Sequence, residues 1–181
     1  MVIDRRRLNL LEPTLPNQPY EHDTFDLNTA QAEALVKEVR ESAVHCAERA
    51  LARLRSDLEA ATEILAIALR QAPLSHLPSS VAEVHASYQV TVRADSMIYH
   101  NALCQAASTL GIGVELFARG EDRRRAAEAL RTEPERLDQW LAELGARLGP
   151  PWQKDHKEAA VRAIAALSQD ASRKTPRKLL H

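Results

Sequence analysis

Residues 20–72 contain neither proline nor glycine, and after Pro73 and Pro78 a second such stretch runs over residues 79–110. Proline costs about 3 kcal/mol and glycine about 1 kcal/mol inside a helix. Two uninterrupted stretches rich in Ala, Leu, Glu and Arg therefore predict two long helices joined by a proline-bounded turn. All five glycines lie between Gly111 and Gly149, which makes the C-terminal part turn-rich. The expected fold class is all-α: a long antiparallel helical hairpin over residues 28–113, followed by a small bundle of short helices over 114–171. An irregular, proline-containing arm (1–27) precedes the hairpin and a basic tail (172–181) follows the bundle.

Local signals sharpen this outline. Pro13, Pro16 and Pro19 keep the arm from forming a helix, and Leu8, Leu10 and Leu11 suit tacking it to the body. Asn28 is an N-cap with Gln31 as its capping-box partner, and Ser80 with Glu83 repeats the pattern. The first helix is expected to run to residue 71. Leu51, Leu54, Leu58, Ala61, Leu65 and Ala68 form its apolar seam with coiled-coil spacing. A rod of that length cannot bury its seam alone, so a homodimer with an interface over residues 51–68 is expected. An irregularity is expected near Val90, Thr91 and Val92, which are poor helix formers.

The 181 residues carry a net charge of -1 and only 4% aromatic residues. An Ala/Leu core with few rings suits helices packed along their lengths. Residues 1–120 hold 11 basic and 15 acidic residues, and residues 121–181 hold 13 and 10. Any polyanion contact therefore belongs at the C-terminal end. The longest aliphatic run, residues 64–69, is far short of the ~20 residues that span a bilayer. Two cysteines make no secreted disulfide framework, so a bacterial cytoplasmic location is expected.

Folding the predicted hairpin about Ser75 places Cys46 and Cys104 in one layer as small buried hydrophobes. With His100 and His45 they raise a metal question. His45 and Cys46 point about 100° apart around their helix, so no metal site is expected. No phosphate-binding glycine loop and no paired Glu-x-x-His motif occurs in the sequence. Asp95, His85, His100 and Tyr99 share the second helix without a nucleophile beside them. Neither a cofactor nor an enzymatic activity is expected.

Residues 122–145 carry the one recognisable motif. Asp122 is expected to cap a helix ending at Leu130, and Thr132 to cap a second one, with Glu135 three residues on. Ala127, Leu130, Leu137, Trp140 and Leu141 form the apolar set. This stretch resembles a bacterial helix-turn-helix, over about 20 residues and no more. Arg131 stands where that pattern usually has the glycine of the turn. The resemblance implies that Ala127 lets the two helices approach closely and that Trp140 anchors the second. It further implies nucleic-acid binding, with Arg123, Arg124 and Arg125 on phosphates and Arg136 and Gln139 at base edges. The expected function is a DNA-binding accessory or regulatory protein that dimerises through its hairpin. The alternative is a helical interaction or scaffold protein with no nucleic-acid role. A continuous positive face around Arg123 to Arg136 would favour the first reading, and acidic neighbours closing over it the alternative. Beyond the motif, Trp152 after Pro150 and Pro151 is expected to plug the space between helices.

Overall fold

The computed structural model describes residues 2, 4–58 and 62–173. Most of them are helical, with one two-stranded parallel sheet. The chain divides into two compact units. One comprises residues 1–65 and 72–113; the other comprises residues 66–71 and 114–181.

In the first unit, helix α1 spans Thr29–Asp57 and begins with the expected capping box at Asn28 and Gln31. Its buried residues are Ala32, Val36, Val39, Ala43, Cys46, Ala47 and Leu51. They follow the three- and four-residue steps of one helical face. Helix α2 (Val81–His85) is short, and helix α3 (Tyr88–Thr109) follows after a break at Ala86 and Ser87. The break lies just before the β-branched residues and has a local support. The Thr91 hydroxyl, buried, donates to the carbonyls of Val84 and Ser87 at 3.0 and 3.2 Å, taking up backbone acceptors at the break. Ala94, Ile98, Ala102 and Ala106 of α3 are fully buried. The alanines among them, with Ala43 and Ala47 of α1, let these two helices lie close along their lengths.

Two expectations about the hairpin are corrected. First, α1 ends at Asp57, where Leu58 turns extended, instead of reaching residue 71. Residues 66–70 form strand β1, so the predicted 51–68 seam is not one helical stripe; Ala61 within it lies outside the described residues. The aliphatic run at 64–69 is apolar all round and contains two isoleucines. Such a run suits a buried strand as well as a helix. Second, α1 and α3 run parallel. Glu33, near the start of α1, accepts a 2.6 Å hydrogen bond from Val81 N at the start of α2. Arg55, near the end of α1, donates to Leu110 O at the end of α3, at 3.3 Å. Cys46 therefore does not meet Cys104 by hairpin symmetry. Cys46 Sγ lies 3.6 Å from Glu12 Oε1, and Cys104 Sγ lies 3.8 Å from His100 Nδ1.

The arm is held along α1 and then crosses to α3. Arg6 pairs with Asp57 at 2.6 Å, and Glu12 pairs with Arg49 at 2.9 Å. Tyr99 Oη donates to Asn17 O at 2.8 Å. Residues Pro19–Asp23 then form a π-helical turn in which Pro19 and Tyr20 are buried. Its first amides are taken by one carboxylate: Asp95 accepts from Tyr20 N at 3.0 Å and from Glu21 N at 3.1 Å. His85 Nε2 lies 3.0 Å from Tyr20 O, and Phe25 stacks on the His85 ring at 4.2 Å.

The second unit contains strands β1 (Ala66–Arg70) and β2 (Gly113–Phe117) with helices α4 (Glu121–Leu130), α5 (Leu137–Leu148) and α6 (Lys154–Arg173). Bonds from Gly113 N to Leu65 O and from Gln71 N to Phe117 O close the two ends of the ladder. Like ends pair with like, so the strands are parallel. The mostly helical structure is roughly consistent with the all-α expectation, to which this small sheet is an addition. Phe117, Ala126, Leu137, Leu141, Val161 and Ala165 form the core. Trp152 plugs it as expected, donating from Nε1 to Leu141 O at 2.9 Å. Of the basic tail, residues 174–181 lie outside the described residues.

Candidate nucleic-acid interface

Helix α4 begins after Gly120, whose φ of 82° lies in the left-handed region, and Glu121 and Asp122 occupy its first turn. Asp122 is thus inside the helix instead of being its N-cap. Acidic residues at this end complement the helix dipole and offset the arginines that follow. The Glu121 carboxylate accepts a 3.0 Å bond from Ala118 N and pairs with Arg125 at 2.5 Å. The Ala118 amide, with Arg125 beside it, holds the Glu121 carboxyl below the ordinary range. Asp122 pairs with Arg162 at 3.3 Å, and Arg162 also binds Glu158 at 2.9 Å. Arg162 and Asp122 are mostly buried and Glu158 is partly exposed, and the trio ties α4 to α6. Arg162 shows in the sequence as one more cation on a polar helix, with nothing to mark its partner 40 residues earlier.

Of the five residues implied as DNA contacts, Arg123, Arg124 and Arg125 fall on α4, Gln139 on α5 and Arg136 on the turn just before α5. Arg123 reaches across to Asp138 of α5 at 2.8 Å. Arg124 pairs with Glu128 at 2.6 Å along the same helix. Arg125, besides Glu121, lies over the Phe117 ring at 5.6 Å from its centroid, an arrangement that favours a cation over an aromatic face. Gln139 donates to Glu143 at 3.2 Å. Arg136 ends the 3-10 turn Pro134–Arg136 and is exposed. Residues 121–148 contain six basic and seven acidic side chains, so the two helices together carry no positive excess.

The connection between α4 and α5 leaves helical backbone at Arg131. This residue has φ 52° and ψ 44°, the left-handed conformation. Arg131 N donates to Glu128 O, and Thr132 N donates to Ala127 O at 3.0 Å, which closes the helix end. Thr132 does not cap the next element; Glu133 occupies that position without a side-chain bond, and α5 starts only at Leu137. A side chain in the left-handed region costs roughly 1–2 kcal/mol. Arg131→Gly is therefore expected to raise the stability of the second unit by about 0.5–1 kcal/mol, after allowance for the looser unfolded chain. Urea unfolding reads this, and a loss of stability would mean that the Arg131 side chain makes a compensating contact.

Among the described residues, no group of three or more His, Cys, Asp or Glu side chains is placed to hold a metal ion. Burial pushes the Cys104 thiol up, which keeps it protonated and poorly nucleophilic. Among the described residues no helix is long and apolar enough to cross a membrane. No protein-family model matches the chain, and neither a curated protein nor a solved structure does.

Proposed function

We propose that this protein is a helical interaction protein whose basic run serves its own fold and not a nucleic acid. The observation that carries this reading is the pairing of Arg123, Arg124 and Arg125 with Asp138, Glu128 and Glu121. A surface pair contributes only about 0–1 kcal/mol, so phosphates would compete with each pair singly. The carboxylates would nonetheless stay beside any bound phosphate. Non-specific nucleic-acid affinity comes almost wholly from net cationic charge, and the α4–α5 face has none in excess.

A DNA-binding regulator is the second reading. It is favoured by the left-handed turn at Arg131 and by the exposed Arg136. A titration of the full chain against duplex DNA at two salt concentrations separates the two. Under the first reading, binding at low salt is weak, and Arg123→Ala/Arg124→Ala/Arg125→Ala leaves it unchanged. Tight, salt-sensitive binding that this triple variant abolishes would overturn the first reading and establish the second.

A further inference from the structure

In the first unit a cleft of about 410 Å³ runs between α1 and α3. Its walls include Lys37, Arg40, Val44 and Glu48 from α1, and its lining includes Ile98 and Ala102 from α3. Lys37 is matched within its own helix by Glu41 at 3.7 Å. Arg40 and Glu48 form no ion pair among the described residues, although both line the same open cleft. Val44 lies midway between them in sequence and is half-buried.

This order of charges is complementary to itself when reversed. Eight residues separate Arg40 from Glu48, about 12 Å along the helix. A second α1, laid antiparallel across the cleft on a twofold axis at Val44, sets Arg40 of each copy against Glu48 of the other. Both otherwise unmatched charges are then answered, and the two Val44 side chains meet at the axis. Twofold symmetry requires such self-complementarity, because each copy presents the same patch. We propose that the α1–α3 cleft is the interface between two copies of this chain, with Arg40–Glu48 pairs on either side of Val44. The proposal concerns the first unit alone and stands whether or not the second unit meets nucleic acid. It also moves the expected dimer contact away from residues 51–68, which form no continuous helical stripe.

Charge reversal tests it. The full-length chain is expected to dimerise reversibly at tens of micromolar in sedimentation equilibrium. Arg40→Glu alone, or Glu48→Arg alone, places like charges at both pairs and is expected to weaken the dimer by at least about tenfold. The double variant Arg40→Glu/Glu48→Arg is expected to restore it, and so is an equal mixture of the two single variants. Thermal melts at concentrations well below those of dimerisation should show each variant folded and cooperative, because neither side chain has an ion pair to lose within the monomer among the described residues. Val44→Lys, which puts two cations on the axis, is an independent check should a reversal variant fail to fold. A wild-type monomer throughout this range would overturn the proposal. A dimer indifferent to all these changes would do so too. If the wild type remains monomeric and the cleft captures a different protein through Arg40 and Glu48, the self-association proposal also fails.

Discussion

Gly145→Ala is expected to destabilise the second unit by about 3 kcal/mol. At most helical glycines the same change helps, by about 1 kcal/mol, because alanine is the better helix former. Here the sign reverses. A Cβ on Gly145 would lie 2.0 Å from Trp152 Cδ1, 2.5 Å from Nε1 and 2.6 Å from Cγ. The indole cannot simply retreat, because its Nε1 is bonded to Leu141 O, one turn earlier on the same helix. Either the ring leaves its seat and gives up that bond, or α5 moves away from it. Thermal unfolding of the full chain measures the loss, and a cycle with Trp152→Ala identifies its cause. Trp152→Ala alone should cost about 3 kcal/mol or more. In that background Gly145→Ala should become neutral or stabilising. Equal losses in both backgrounds would mean that the clash with Trp152 is not the reason for glycine at this position.

Asp95→Ala is expected to cost the first unit a similar amount, about 3 kcal/mol. Asp95 is 5% exposed, and each of its oxygens accepts one backbone amide of the π-helical turn. Removing the carboxylate strands both amides, at about 1–3 kcal/mol for each buried donor. Asp95→Asn keeps one acceptor and should lose roughly half as much. A pH signature separates this role from simple packing. Burial pushes the Asp95 carboxyl above its ordinary value, against the pull of the two amide bonds and despite His22 nearby. A carboxyl whose folded pKa is raised holds its proton more tightly in the fold. Its contribution is fully present below the unfolded value of about 3.9 and is lost as pH rises through the folded value. Over that window the wild-type stability should fall with pH more steeply than that of Asp95→Asn. Parallel curves from urea unfolding at a series of pH values would contradict this.

What the sequence discloses about this fold is mostly local. The Asn28–Gln31 box, the left-handed turn at Arg131 and the Trp152 plug each depend on residues a few positions apart, or on one bulky ring that must be buried. The sheet depends on pairing over a long separation. Residues 64–69 are apolar at every position, so periodicity cannot distinguish strand from helix, and the deciding neighbour is a strand more than 40 residues later. The parallel run of α1 and α3 is equally non-local, tied by Val81 N to Glu33 at one end and by Arg55 to Leu110 O at the other. Asp95 shows in the sequence as one more polar residue on a long helix. Only the arm folding back over it reveals that it is buried. The pairing of Arg123 with Asp138 is hidden for the same reason, while the (i, i+4) pairs Arg124–Glu128 and Glu121–Arg125 could have been read from spacing alone.

The second unit takes its first strand from residues 66–70 and its second only from residues 113–117, after the chain has passed through α2 and α3. During synthesis β1 therefore leaves the ribosome more than 40 residues ahead of its partner, and for a few seconds at typical rates of translation its aliphatic run has no strand to pair with. The same interleaving governs how the protein can be dissected. A fragment beginning at residue 114 would hold three helices and a single strand, with Phe117 lacking its ladder neighbour. A working fragment of the second unit needs residues 66–71 grafted ahead of it through a linker that replaces the 72–113 excursion.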